Sequence, residues 1–84
     1  GEIDLICLRD DTIYFVEVKA RSDSSQYGGL AEAITNEKIK RIRSTAAIFL
    51  RDNKLSDKTA VLLAALVSLD KRQEIEHIKY LPIY

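Results

Sequence analysis

Apolar and polar residues largely alternate in Gly1-Glu2-Ile3-Asp4-Leu5-Ile6 and again in Tyr14-Phe15-Val16-Glu17-Val18-Lys19. That period of two is the signature of half-buried strands. Asp10-Asp11 between them suits a two-residue hairpin turn, because Asp tolerates turn conformations. Such a turn pairs Arg9 with Thr12, which sets Asp4 directly opposite Glu17 and Glu2 opposite Lys19. Cys7 then alternates with Leu5 and Ile3 on the face away from Asp4 and reads as core, and Val18 points into the core as well.

A polar, glycine-ended loop follows from Arg21 to Gly29, and Leu30 to Ile34 suits a helical turn. Thr35 is placed to cap a helix from Asn36 to Arg51, with Glu37 in its first turn. Ile39, Ile42, Ala46, Phe49 and Leu50 give that helix one apolar stripe. Asp52-Asn53 is expected to end it, with Asn in the left-handed cap conformation. Thr59 to Ser68 is rich in Ala and Leu, yet its length and polar flanks favour a buried strand. Asp70 to Gln73 is a turn, Glu74 to Tyr80 alternates as a last strand, and Pro82 fits a sheet edge or the terminus. The predicted fold class is α/β: a mixed sheet in the order strand, strand, helix, strand, strand, with the helix on one sheet face.

Size and charge narrow this picture. The 84 residues form one small domain, spanning 1–84. A chain this short buries only roughly 60–65% of its unfolded surface, so help from a partner subunit or from further sequence is expected. The chain begins inside a motif and contains no methionine, and it reads as N-terminally truncated. Its one cysteine excludes an internal disulfide framework and fits a reducing cytoplasm. The longest apolar run, Ala60 to Val67, is far short of a membrane span. Thirteen basic and thirteen acidic residues cancel, so a polyanion could be held only by a local patch.

The hairpin supplies a candidate for chemistry. Directly opposed side chains have Cβ atoms about 4.5–5.5 Å apart, so Asp4 against Glu17 calls for a compensating cation. A hard divalent ion such as Mg²⁺ takes carboxylate oxygens and keeps several waters. Asp4 and Glu17 would be its ligands, and Lys19 would orient a water or stabilise charge on a pentavalent phosphoryl transition state. The competing reading is that Glu17 and Lys19 are simply the solvated face of a strand. Acidic residues are nonetheless depleted in strands and disfavoured opposite one another.

Lys38, Lys40, Arg41 and Arg43 crowd the first half of the helix, where the dipole disfavours cations. Lys38 and Arg41 share a side and suit phosphate contact, against an ordinary solvated helix surface as the alternative. Arg21 could grip a phosphate bidentately, and Gly28-Gly29 would allow close backbone approach or simply make a turn. His77 has no ligand partner at suitable spacing and reads as core or surface.

Taken together, Gly1-Glu2-Ile3-Asp4-Leu5-Ile6, Phe15-Val16-Glu17-Val18-Lys19 with Arg21, Gly28-Gly29, Glu32-Ala33-Ile34 and Lys38 resemble the YraN-like family. That family has the restriction-endonuclease-like fold and is similar to archaeal Holliday-junction resolvases and the wider PD-(D/E)xK nucleases. The resemblance implies a site in which Asp4 and Glu17 bind Mg²⁺ or Mn²⁺ and Lys19 assists catalysis. Glu2, Arg21, Glu32 and Lys38 match further motif positions, and Glu2 and Glu32 are accessory candidates. The family's opening helix, which bears a glutamate, and the strand after it are not in this chain. Its Arg-x-Asp-Val-Val-like strand is replaced here by Val61 to Leu66, while Ile75-Glu76-His77-Ile78 looks like its last strand.

Three functions follow as expectations. The first is a metal-dependent DNA endonuclease, with branched DNA favoured by resemblance to the resolvases and a homodimer favoured by a symmetric junction. The second is a nucleic-acid-binding module of the same fold with weak or no catalysis. The third is a small structural or interaction domain whose charges are all surface.

Overall fold

The computed structural model describes residues 3–22 and 34–83. Strand β1 (Leu5–Arg9) and strand β2 (Thr12–Arg21) form the hairpin, helix α1 (Asn36–Asp52) follows, and β3 (Thr59–Leu69) and β4 (Ile75–Pro82) close the order. The strands make one sheet ordered β1-β2-β3-β4. β2 and β3 are parallel, and the two outer pairings are antiparallel. This is the mixed α/β arrangement read from the sequence, and it is compatible with a nuclease-like core. No described helix is long and apolar enough to cross a membrane.

The hairpin register is the expected one, with Arg9 opposite Thr12 and Leu5 opposite Val16. Asp10 takes φ 53°, so the turn draws on the tolerance of Asp for the left-handed region. The turn is tied to the start of β3. Thr59 donates its N–H to the Asp11 carbonyl at 2.9 Å, and Lys58 Nζ meets Asp11 Oδ1 at 3.1 Å.

Helix α1 begins as predicted. Thr35 Oγ1 accepts from the Lys38 N–H at 3.2 Å, a side-chain cap. Its other end corrects the expectation. Asn53 has φ −103°, and Lys54, at φ 57°, holds the left-handed position. Leu55 donates to the Leu50 carbonyl at 2.8 Å and Lys54 to that of Arg51 at 3.2 Å, which together make a Schellman motif. Asn53 contributes through its side chain instead, Nδ2 donating to the Phe49 carbonyl at 2.9 Å.

The core lies between α1 and one sheet face. Ile42 packs with Ala64, Leu66 and Ile83, joined by Ile34 and Ile39 from around the helix start. Ala46 packs with Ile13 and Phe15, joined by Phe49, Leu50 and Leu55 from the helix end. The helix therefore runs antiparallel to β2 and β3, starting above the ends where those strands finish. Phe15 is fully buried and meets Phe49 edge to face, with centroids 5.8 Å apart.

Register places Leu5, Cys7, Tyr14, Val16, Val18, Leu63, Ala65, Val67, Ile78 and Tyr80 on the second face. No described helix covers it. Val16, Ala65 and Val67 at its centre are buried, while Leu5, Ile78 and Tyr80 at its margins are exposed. Cys7 is exposed, contrary to its reading as core. It sits on a short edge strand whose five residues are all exposed, so alternation there does not mean burial. Val18 likewise lies half-exposed on this second face.

A candidate carboxylate and lysine site on the hairpin

Glu17 and Lys19 follow Ile13 and Phe15 at steps of two along β2, so all four share the face that α1 covers. The expectation of a solvent face beside a buried Val18 is thus inverted. Partial exposure survives, 17% for the Glu17 side chain and 27% for Lys19. Lys19 Nζ lies 3.4 Å from Glu17 Oε1.

Asp4 reaches this place by a different route from the predicted one. The ladder ends at Leu5–Val16, and Asp4 precedes β1 rather than forming the next rung. Its Oδ2 accepts the Val18 N–H at 2.8 Å. In a continued ladder Ile3 would oppose Val18 on the second face. Ile3 instead packs into the clusters beneath α1. Burial of that side chain turns the strand aside, and the Asp4 carboxylate takes the amide left without a ladder partner. The acid predicted to face Glu17 across a rung is therefore anchored on the Glu17–Val18 peptide.

Asp4 commits one oxygen to that bond, and among the described residues the other has no hydrogen-bond partner. Glu17 offers a second carboxylate, and Lys19 an ammonium whose contact with Glu17 uses one of three donors. Among the described residues no group of three or more His, Cys, Asp or Glu comes together. A pair is still sufficient for Mg²⁺, which is commonly held by one or two carboxylates together with waters and substrate phosphates.

Arg21 ends β2 on the same face as Lys19 and is exposed. Lys38 is half-buried in the first turn of α1, and Arg41 is exposed on the helix surface. Glu2, Glu32 and Gly28-Gly29 lie outside the described residues. The structure adds a histidine and a lysine. His77 and Lys79 on β4 face α1, in register through Ser68 with Arg21 and through Leu66 with Lys19. Alternation in Glu76 to Tyr80 signals a strand, yet which half of the alternation faces the helix depends on a bulge between Ser68 and Leu69.

Fold and site together define a mixed α/β protein carrying a carboxylate pair and a lysine on one hairpin. The chain belongs to the UPF0102 family, whose model, described as "Uncharacterised protein family UPF0102", matches residues 1–78. This is the YraN-like family that the sequence resembles. A UPF0102 protein of Nitrosomonas europaea is 43% identical over 79 residues, covering 94% of this chain and 65% of that protein. One from Syntrophomonas wolfei is 34% identical over 79 residues, covering 93% of this chain and 68% of its own length. One from a Marinomonas species is 35% identical over 81 residues, covering 96% and 61%. The chain thus spans roughly two thirds of the length of these curated relatives.

Proposed function

We propose that this chain carries the site of a Mg²⁺- or Mn²⁺-dependent DNA endonuclease that hydrolyses phosphodiester bonds. The observation that supports this most is the seating of the Asp4 carboxylate on the Val18 amide, in the peptide that joins Val18 to Glu17 and one residue before Lys19. Asp4 and Glu17 would hold the divalent ion. Once bound, it supplies Lewis-acid polarisation of a phosphoryl oxygen and a more acidic water.

The chain's own residues then have separable tasks. The Val18 amide fixes the Asp4 carboxylate, so one oxygen keeps its direction without substrate. Lys19 is held beside Glu17, where its unused donors can orient a water or meet charge developing on phosphorus-bound oxygens. Arg21 and Lys38 would hold flanking phosphates, and Arg41 would extend that contact along the helix. Branched DNA is the favoured substrate by resemblance to the resolvases, and a homodimer would present two sites to it.

The test is cleavage of linear, single-stranded and four-way-junction DNA with Mg²⁺ or Mn²⁺, with Asp4→Ala and Lys19→Ala in parallel. Activity in the parent that falls by at least about a hundredfold in both variants is the expected result. A parent that binds these DNAs without cutting them would favour the second reading, a nucleic-acid-binding module of the same fold. The replacement of polar residues by Val61 to Leu66 in β3 speaks for that alternative.

A further inference from the structure

The β3–β4 pairing changes register between Ser68 and Leu69. Leu69 pairs with Ile75, while Ser68 pairs with His77, so Glu76 is the extra residue of a bulge. A one-residue slip in a strand exchanges its two faces. Without the bulge, Ile78 and Tyr80 would lie beneath α1, and His77 and Lys79 would turn away. With it, Lys79 and His77 share the face of the hairpin carboxylates, and Ile78 and Tyr80 are left exposed at 45% and 61%. The same phase carries Leu81 and the buried Ile83 into the core beneath α1, and it sets His77 and Lys79, both still exposed, on that face. Bulges that re-aim side chains in this way are over-represented beside functional sites.

The polar residues so aimed form two rows across the sheet. Lys19, Leu66 and Lys79 make one, and Arg21, Ser68 and His77 make the next. Adjacent strands lie about 4.7–4.9 Å apart, so the β2 and β4 side chains of a row are separated by roughly 10 Å. That is about three nucleotide rises of a stacked strand. Ser68, between Arg21 and His77, is 1% exposed, and its hydroxyl has no hydrogen-bond partner among the described residues. Lys79, His77 and Arg21 form no ion pair among the described residues. The end of β2 is also tethered here, since Gln73 Nε2 in the β3–β4 turn donates to Ser22 Oγ at 3.1 Å. The start of α1 lies over the same end of the sheet, adding its partial positive charge.

We infer that Lys79 and His77 continue a phosphate-binding track from Lys19 and Arg21 across β3 onto β4, so that a nucleic-acid strand crosses the sheet perpendicular to its strands. This rests on the proposed action on DNA and assigns the path its backbone takes away from the hairpin site. β4 is then a substrate-holding strand, and the bulge at Ser68 is what makes it one.

The test is anisotropy titration of a labelled single-stranded oligodeoxynucleotide in EDTA across a salt series, beside cleavage with Mg²⁺. Lys79→Gln and the double variant His77→Gln/Lys79→Gln are compared with Lys79→Arg. Arg9→Gln, on the other sheet face, is the control for loss of one charge. Lys79→Gln should flatten the dependence of log K on log[salt] by about 0.7, the value of one single-strand phosphate contact. Lys79→Arg and Arg9→Gln should leave the slope in place. Equal slopes for Lys79→Gln, Arg9→Gln and the parent would overturn the track and leave the proposed nuclease untouched. A parent that cuts DNA yet binds none in EDTA would do the same. A parent that neither binds nor cuts would remove both.

Discussion

One oxygen of Asp4 holds the Val18 amide and the other has no hydrogen-bond partner among the described residues, so the residue joins backbone structure to the proposed metal site. Asp4→Asn keeps an acceptor for the amide but removes the charge. Its melting temperature should stay near the parent's while metal-dependent cleavage is lost. Asp4→Ala should lose both, with a stability cost of about 1 kcal/mol for the missing hydrogen bond. Thermal melts beside the cleavage assay separate the two effects. At the far end of the hairpin, the hydrogen bond and charge of Asp11, with Asp57 nearby, raise the pKa of Lys58 above 10.5. A raised lysine stabilises the fold fully below its unfolded value and ceases to do so as pH climbs through its folded value. Asp11→Asn should therefore lower stability at neutral pH slightly, and the difference should fade above pH 10.5, as urea melts at several pH values would show. The rungs from Arg9–Thr12 to Leu5–Val16 were legible in the sequence, because a two-residue turn fixes the register behind it. The route by which Asp4 arrives was not, since it depends on Ile3 finding the helix-side core.

At the scale of elements, most of the boundaries follow from local chemistry. Thr35 caps and Glu37 complements the dipole, so the start of α1 falls where the sequence puts it. Its end turns on Lys54, which carries a left-handed backbone that glycine would adopt without strain. Lys54→Gly should stabilise the fold by up to about 1 kcal/mol, measured as a higher denaturant midpoint with unchanged slope. The strand character of Thr59 to Leu69 was legible from length and polar flanks, despite helix-favouring Ala and Leu. Being parallel to β2, it is the kind of two-sided buried strand that shows no alternation. The phase of β4 lay beyond local signals. Glu76 to Tyr80 alternates equally well either way up, and only the tertiary bulge at Ser68 decides that Lys79 faces the helix.

For the whole molecule, charge balance and exposed apolar side chains act together. The isoelectric point lies near 6.8, and Leu5, Ile6 and Leu8 on the edge strand β1 are exposed. Light scattering at fixed concentration should peak near that pH and fall on either side as like charge builds up. Arg21, Lys19 and Lys79 nevertheless share one end of the sheet with Asp4 and Glu17. That grouping is invisible to a sum over the sequence and emerges only when the strands are laid side by side.

The link between Asp11 and Lys58 joins residues 47 apart in the chain, the same offset that runs through the whole parallel pairing of β2 and β3. A hairpin closes within microseconds, whereas a parallel pair must first close the loop and helix between its strands. The hairpin holding Asp4 and Glu17 can thus assemble early, and the Lys58 ammonium, arriving with β3, would find its mate waiting at the turn. A surface ion pair of small equilibrium worth would in that case act chiefly on timing, steering the slowest strand into the one alignment that sets Ser68 beside Arg21.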